Sequence, residues 1–459
     1  MPAANSSPVV EAAVQGVELE NWSKMIPTLN YTGKTLYQRF KKGTKTYPTA
    51  NITAAPGNIG ATTGSAQRPA FRVPMKVQSG AAIVQGTGDG DSLGRGTGSQ
   101  WQSGDIAPIF LFSGCEITYL TQKATNGKNR GMIAVRAQEL KNSYDSFMRG
   151  IESLYQGDSS GMLDQIPTVG AAVNSTTGGG TAGSATYSSI TGLNNANNFQ
   201  DQQLVQVFPS EGGTARGSFR VSYADGVANT LWSTTALPSG TATGDYLMVA
   251  GSSGALGGSL AGIKTYQVTG NTGTCLGLTR ANFPGRLSTA NINLNNNPIN
   301  PAVPYRAEIL INRGLGEQGE DSEVMDDFIW YGGPGQQLQI TNLYQNVLIA
   351  NAQDVKGDEA LDMVKKKMIT KFGGREYVTG YNASPGRIDG LCLNCWGIAE
   401  MIEPSLYDFG NGVTTMPVPD PNGNGWLTSN IFYYNAAHNL FNSNAKSGVY
   451  ITNAAEPAI

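Results

Sequence analysis

The single histidine, His438, stands among aromatics in YYNAAHNLF. An imidazole acts as general base or metal ligand only with a partner group in reach. No Gly-x-Ser-x-Gly nucleophile elbow accompanies it, so the expectation is a satisfied core or interface histidine. Cys392-Leu393-Asn394-Cys395 has the spacing of a redox pair or half a zinc site. A zinc signature needs a second ligand pair, and none lies nearby in sequence. The other thiols, Cys115 and Cys275, are too scattered for a disulfide framework, so reduced cysteines are expected. Asp420, Asn422, Asn424 and Gly425 follow the first half of a calcium loop, but position twelve is Ile431 where a bidentate Glu is required. Gly86, Gly88 and Gly90, with Asp89 and Asp91, lack the Lys-Ser or Lys-Thr and the helix start of a phosphate loop. These two segments read as a turn and a loop tip. No constellation of acid, base and nucleophile emerges. The expectation is a protein that is not an enzyme, with no catalytic, cofactor-binding or metal-binding residue assigned.

Charge is the next chemistry to place. Tyr37, Arg39, Phe40, Lys41, Lys42, Lys45 and Tyr47 mix cations with aromatics, as a surface facing phosphate or carboxylate requires. The two readings are contact with an acidic neighbour or packaged DNA, and a solvated helix end. Lys365, Lys366, Lys367 and Lys371 read as the solvated face of a helix, and Asp321, Glu323, Asp326 and Asp327 as a helix start that meets the positive end of the dipole. A net charge of −3 argues against a dedicated nucleic-acid binder.

The positioning elements sit in an unusual composition. A chain of 459 residues allows about three domain-sized units and a sizeable core. Charged residues make up 14% of it, against about 25% in ordinary soluble domains. Much of the surface therefore lacks the charges that hold monomers apart. The 59 glycines favour turns and bulges over helix, so the body should be mostly β and loop. No apolar stretch of about 18 residues and no signal peptide is evident, which fits synthesis in a bacterial-type cytoplasm without a membrane.

One segment breaks the pattern. In residues 130–157 the positions Leu140, Tyr144, Phe147, Met148, Ile151, Leu154 and Tyr155 recur at spacings of three and four, with Arg136, Glu139, Lys141, Asp145 and Glu152 opposite. This predicts a helix roughly 35–40 Å long, ending at Gly157 as a left-handed cap. Before it, residues 1–50 form a weakly periodic arm that must lie on something else to be ordered. RPAFRVPMKVQSGAAIVQ alternates as strands of a long excursion, tipped by GTGDGDSLGRGTGSQW and marginal without a neighbour. After the helix, residues 170–197 read as exposed loop, and LVQVF, GSFRVSY, DYLMVA and IKTYQVT as strands. Helices are expected at EVMDDFIWY, QQLQITNLYQNVLIAN and DEALDMVKKKMITKF, strands at REYVTGY and GLCLNCWGIAEMI, and turns with short strands from MPVPD onward.

This order of parts resembles the major capsid proteins of tailed bacteriophages. GDYLMVAGSSGALGGSLAGIKTYQVTG followed by LGLTRANFPGRLS is similar to a recurring pattern of that family, and DDFIWYGGPGQQLQITNLYQNV and GLCLNCWGIAEMIEPS resemble its axial and closing peripheral segments. The resemblance implies an α+β chain of the Hong Kong 97-like capsid fold. Its parts would be an N-terminal arm (1–50), an extended β-loop with flanks (51–129), a spine helix (130–165) and a β-rich peripheral domain (166–304). An interleaved axial domain (305–402) and a return to the peripheral domain (403–459) would follow. It further implies pentamers and hexamers of identical subunits closing an icosahedral shell around double-stranded DNA in the virion, after assembly in the host cytoplasm. Separate scaffolding and portal proteins, and a decoration protein in some members, would be partners; no cofactor is implied. Covalent cross-linking through a Lys–Asn isopeptide occurs in some members. The loop contains Lys76, but no Asn partner or catalytic acid can be matched, so that chemistry is not carried over. Arg39, Lys41, Lys42, Arg68, Arg72, Lys76, Arg95 and Trp101, on the arm and loop, are the expected intersubunit contacts.

Two rival readings accompany this one. A β-structured tail fibre or adhesin would share the Gly/Asn/Thr richness, yet the chain has no fixed-period repeat. An encapsulin-type cargo shell would share the fold and assemble without phage proteins.

Overall fold

The computed structural model describes residues 35–43, 52–54, 69–78, 98–118, 135–169, 173–174, 186–233, 235–315, 327–351, 371–409, 413–420 and 425–455. The predicted loop tip, residues 170–172 and 175–185 of the low-complexity stretch and the predicted lysine-rich helix before Lys371 lie outside them. The rest of the stretch 170–197, expected as exposed loop, instead includes strand Thr186–Thr191 and the buried Ile190, Leu193 and Ala196. Helices, several β-sheets and extensive loop make a mixed α+β chain. It divides into two compact units. Unit 1 is drawn from Ile109–Ile151 and Met401–His438, and unit 2 from Thr35–Pro108, Glu152–Glu400 and Asn439–Ile459.

The labelled elements are helix α1 (Thr35–Gly43), strands β1 (Ile52–Ala54), β2 (Pro69–Gln78), β3 (Gln100–Ile106) and β4 (Ile109–Thr118), and helix α2 (Val135–Leu154). In unit 1, β4 runs antiparallel to the long strand Trp426–Asn442, in register from Ser429 opposite Thr118 to His438 opposite Ile109. Strand periodicity sends Phe432, Tyr434 and Ala436 to one face and Tyr433 and Asn435 to the other. The α2 helix lies over the first face. Tyr434 stacks with Phe147 at 6.3 Å between centroids, approaches Tyr144 at 5.5 Å and donates its hydroxyl to the Leu140 carbonyl at 2.7 Å.

In unit 2 the core forms on a six-stranded mixed sheet ordered Ala290–Asn293, Val449–Thr452, Ile388–Cys392, Phe328–Gly332, Arg375–Thr379, Lys371–Phe372. The two central strands are buried at every position, which is why Phe328–Gly332 reads as an unbroken apolar run rather than alternation; in its partner the buried Asp389 is paired with Arg387 at 2.7 Å. Helices Ala302–Leu315 and Pro334–Asn351 contribute Val303, Ala307, Ile311 and Ile340 to the same core as Phe328, Trp330 and Tyr377. Two smaller sheets hold the remaining strands of residues 162–249.

Several expectations are corrected. EVMDDFIWY was read as helix, but its described part is strand Phe328–Gly332, because a short apolar run takes its form from its neighbours. IKTYQVT is a single helical turn, Ile263–Tyr266, in place of a strand. Helix Ala302–Leu315 was not foreseen at all. Gly157 is not left-handed; Ser159 and Gly161 take positive φ after the helix instead. Glu152, placed on the polar side of α2, is buried. The C-terminal region contains a 17-residue strand where short strands were expected.

Candidate functional site

The face of the unit 1 sheet turned away from α2 is apolar and open. Along β4 the side chains alternate: Ile109, Leu111 and Ser113 are half-buried, whereas Phe110 and Phe112 are 50% and 60% exposed. Phe112 meets Tyr407 at 6.3 Å, Tyr407 meets Phe409 at 5.0 Å, and Phe409 meets Tyr433 at 6.0 Å, all edge to face. Gly114 makes the surface possible, since a Cβ there would lie 2.9 Å from the Tyr433 ring. The same sheet carries Trp426 at 64% exposure and Met416 at 43% at its far end. Exposed aromatics linked ring to ring, as from Phe112 to Tyr433, mark an interaction site, whereas scattered exposed residues do not. Sequence reasoning missed these rings. The signal was present in IFLFSGCEIT, where period-two spacing puts both phenylalanines on one side.

Unit 2 contributes a second surface, the ladder of β2 and β3. Phe71, Val73, Met75 and Val77 are buried on one face. Register places Arg72 opposite Asp105, Pro74 opposite Ser103 and Lys76 opposite Trp101 on the other. The structure thus brings Arg72, Lys76 and Trp101 together on one exposed face, with Trp101 61% exposed and Arg72 in a 3.4 Å ion pair with Asp105. Arg68 and Arg95 lie outside the described residues, and so does the Lys42 side chain.

Arg39 and Lys41 sit elsewhere, on α1, and the aromatic-cation patch is split by the helix. Leu36, Tyr37 and Phe40 turn inward; Phe40 stacks on Trp396 at 5.4 Å and meets Tyr155 edge-on at 5.9 Å. Arg39 makes a two-pronged contact with Glu376, at 2.9 and 2.5 Å, and Lys41 lies 5.8 Å from the Tyr37 ring centroid. Lys45 and Tyr47 lie outside the described residues.

The groups singled out for chemistry are placed as follows. His438 is fully buried in the long strand. All four cysteines are free. A hydrogen bond with Cys395 and then burial push the Cys392 thiol far up, which suppresses the nucleophilic thiolate. A cavity of about 400 Å³ in unit 2 is bordered by Gln156, Asp164, Asn195 and Lys264. Its Asp164 carboxylate is engaged by the Gln165 and Asn195 N–H groups and the Asn194 amide at 2.8–2.9 Å. Among the described residues no three His, Cys, Asp or Glu side chains converge as a metal cluster. No helix among them is long and apolar enough to cross a membrane.

No family model and no curated protein matches the chain. Solved structures that match include the cyanophage A-1(L) capsid asymmetric unit, at 11% identity and TM-score 0.44 over 85% of this chain and 89% of that one. The capsid of a native GTA particle matches at 10% identity and TM-score 0.44 over 95% of each chain. The holo-SrpI encapsulin complex of Synechococcus elongatus PCC 7942 matches at 9% identity and TM-score 0.40, over 97% and 95%. What the chain is similar to in these cases is therefore two capsid proteins and an encapsulin, at scores too low to bear on function, which rests on the chain's own surfaces.

Proposed function

We propose that this chain is a major capsid protein, a subunit that self-associates into pentamers and hexamers and closes an icosahedral phage head around double-stranded DNA. The observation that carries the reading is the open aromatic face of the unit 1 sheet, a surface that a second copy can bury. Closed shells need one protein to present several unlike interfaces at once. The unit 1 face and the β2–β3 ladder are two such surfaces on one chain, and each gains from a neighbour the burial it lacks alone. In this reading residues 51–129, with β2 and β3, are the extended loop and its flanks, α2 lies in the spine helix (130–165), residues 166–304 and 403–459 make the peripheral domain and residues 305–402 the interleaved axial domain. Arg39, Lys41, Lys42, Arg68, Arg72, Lys76, Arg95 and Trp101 contribute intersubunit contacts. Scaffolding and portal proteins, and a decoration protein, complete the particle, which assembles in the cytoplasm of a bacterial host. DNA contact is non-specific and electrostatic.

Negative-stain microscopy of the chain expressed in bacteria tests this reading directly. Closed polyhedra, tubes or uniform rings are expected. A monodisperse monomer at high concentration, or a trimeric rod, would overturn it. Small uniform shells free of nucleic acid and formed without phage proteins would favour the encapsulin-type reading.

A further inference from the structure

The cavity of about 400 Å³ in unit 2 is bordered by two opposite charges that do not meet. Lys264, on the turn Ile263–Tyr266, makes no hydrogen bond or ion pair among the described residues, yet its ammonium senses both Asp158 and Asp164. Asp158 turns one oxygen back on its own chain, where Oδ1 accepts the Ser160 N–H at 3.0 Å and the Ser160 hydroxyl at 2.5 Å. Its Oδ2 bonds to no described residue. Asp164, by contrast, is fully engaged by N–H donors. On the same border Gln156 is 5% exposed with its Nε2 buried and unpartnered, and Asn198 Oδ1 is likewise buried without a partner. Buried polar atoms are nearly always hydrogen-bonded, so unpaired ones at a cavity wall point to an occupant.

We propose that this cavity binds a small zwitterion of the free amino-acid class, its carboxylate received by Lys264 and the Gln156 amide and its ammonium by Asp158 and Asn198. Such a ligand meets both charges at once and adds none. A lone anion would satisfy Lys264 and leave Asp158 unmet, with Asp164 as a second negative charge against it. A metal cation would face the Lys264 ammonium and find the Asp164 oxygens already surrounded by donors. Water bridges neutral polar atoms well. Two charges held apart gain more from charged partners, since charge-assisted hydrogen bonds are about twice as strong as neutral ones. The volume lies at the small end of the roughly 300–1,000 Å³ typical of ligand pockets, room for one small molecule.

The fold keeps the two charges apart. The Ile263 N–H donates to the Tyr155 carbonyl at 2.7 Å, which fixes the turn that bears Lys264, and the Ser160 contacts fix Asp158. Asn198 gives its Nδ2 to the Leu163 carbonyl at 3.0 Å, which leaves Oδ1 to accept from a ligand. The other charges that Lys264 senses, Arg387 and Asp389, are paired with each other at 2.7 Å. The site lies within unit 2 of one chain and does not depend on shell assembly.

Titration calorimetry of the full chain at neutral pH tests the site, with glycine, L-serine and L-glutamine as probes and acetate and ethylammonium as half-ligands. At least one amino acid should bind saturably, with a Kd below about 10 mM. Each half-ligand should bind about tenfold more weakly or not at all, having lost one charge-assisted contact. Lys264→Met and Asp158→Asn should each weaken amino-acid binding about tenfold with an unchanged circular dichroism spectrum. Acetate binding as tightly as the amino acid would mean an anion site, and no saturable binding of any probe would mean a cavity filled by water alone. Either result, or undiminished affinity in both variants, would overturn the proposal. The comparison of whole and half-ligands uses the unaltered chain, so it decides the matter even where a variant fails to fold.

Discussion

At Gly262 the chain has no space for a side chain. A Cβ there would lie 2.5 Å from the Gly157 carbonyl oxygen and 2.6 Å from that of Tyr155, backbone atoms that cannot swing aside. The close approach serves a purpose: the Ile263 N–H donates to the Tyr155 carbonyl at 2.7 Å, and the Gly262 N–H donates to Thr265 Oγ1 at 3.0 Å. These bonds hold the helical turn Ile263–Tyr266 against the segment that follows α2. Gly262→Ala should therefore cost about 3 kcal/mol, the upper range for overpacking, measured as a lowered urea midpoint with an unchanged slope. A cost under about 0.5 kcal/mol would show that the backbone here can give. This is also where sequence reading failed for a physical reason. IKTYQVT alternates like a strand, but its conformation is decided by a carbonyl more than a hundred residues earlier. Glu152 was misplaced likewise, since an acid on the charged side of a helix is expected in water unless another helix lands on it.

Among elements, those with strong internal period were legible. The three-and-four spacing from Leu140 to Tyr155 gave α2, and the alternation of Phe71, Val73, Met75 and Val77 gave β2. Helix Ala302–Leu315 had a signal that went unread: Val303, Ala307 and Ile311 recur every fourth residue behind Asn300, whose side chain accepts the Ala302 N–H at 3.0 Å. The early prolines, Pro301 and Pro304, obscured it, although proline is tolerated in a first helical turn. The seating of α2 on the long strand can be tested at one bond. Tyr434→Phe keeps the ring contacts with Tyr144 and Phe147 and loses the 2.7 Å bond to the Leu140 carbonyl. Loss of about 1 kcal/mol is expected, since the carbonyl keeps its own helical partner. Burial first of all pushes the Tyr434 hydroxyl up to about 12, so the bond should be insensitive to pH between 5 and 9. A stability difference between wild type and variant that changes across that window would contradict this account.

For the whole molecule the question is whether the open sheet face belongs to the subunit or to its assembly. A residue that stabilises its own fold and one that binds a neighbour respond oppositely to truncation in the isolated chain. Phe110 and Phe112 are 50% and 60% exposed, so replacing both with Ser removes only about half of a ring's burial at each site and should lower the chain's unfolding free energy by about 2 kcal/mol without unfolding it. If a second copy covers the face, the same pair of substitutions deletes aromatic anchors at the centre of an interface, each worth about 2 kcal/mol or more at a hot spot. Assembly should then fail with the fold intact, seen in sedimentation as a shift from large particles to discrete small species with an unchanged circular dichroism spectrum. Trp101→Ser on the β2–β3 ladder should act in the same direction, and more weakly if its neighbour lies at an interface rim. Particles of normal size and yield from the Phe110/Phe112 double variant would mean that the aromatic face stays open in the assembled state and that the shell is held elsewhere.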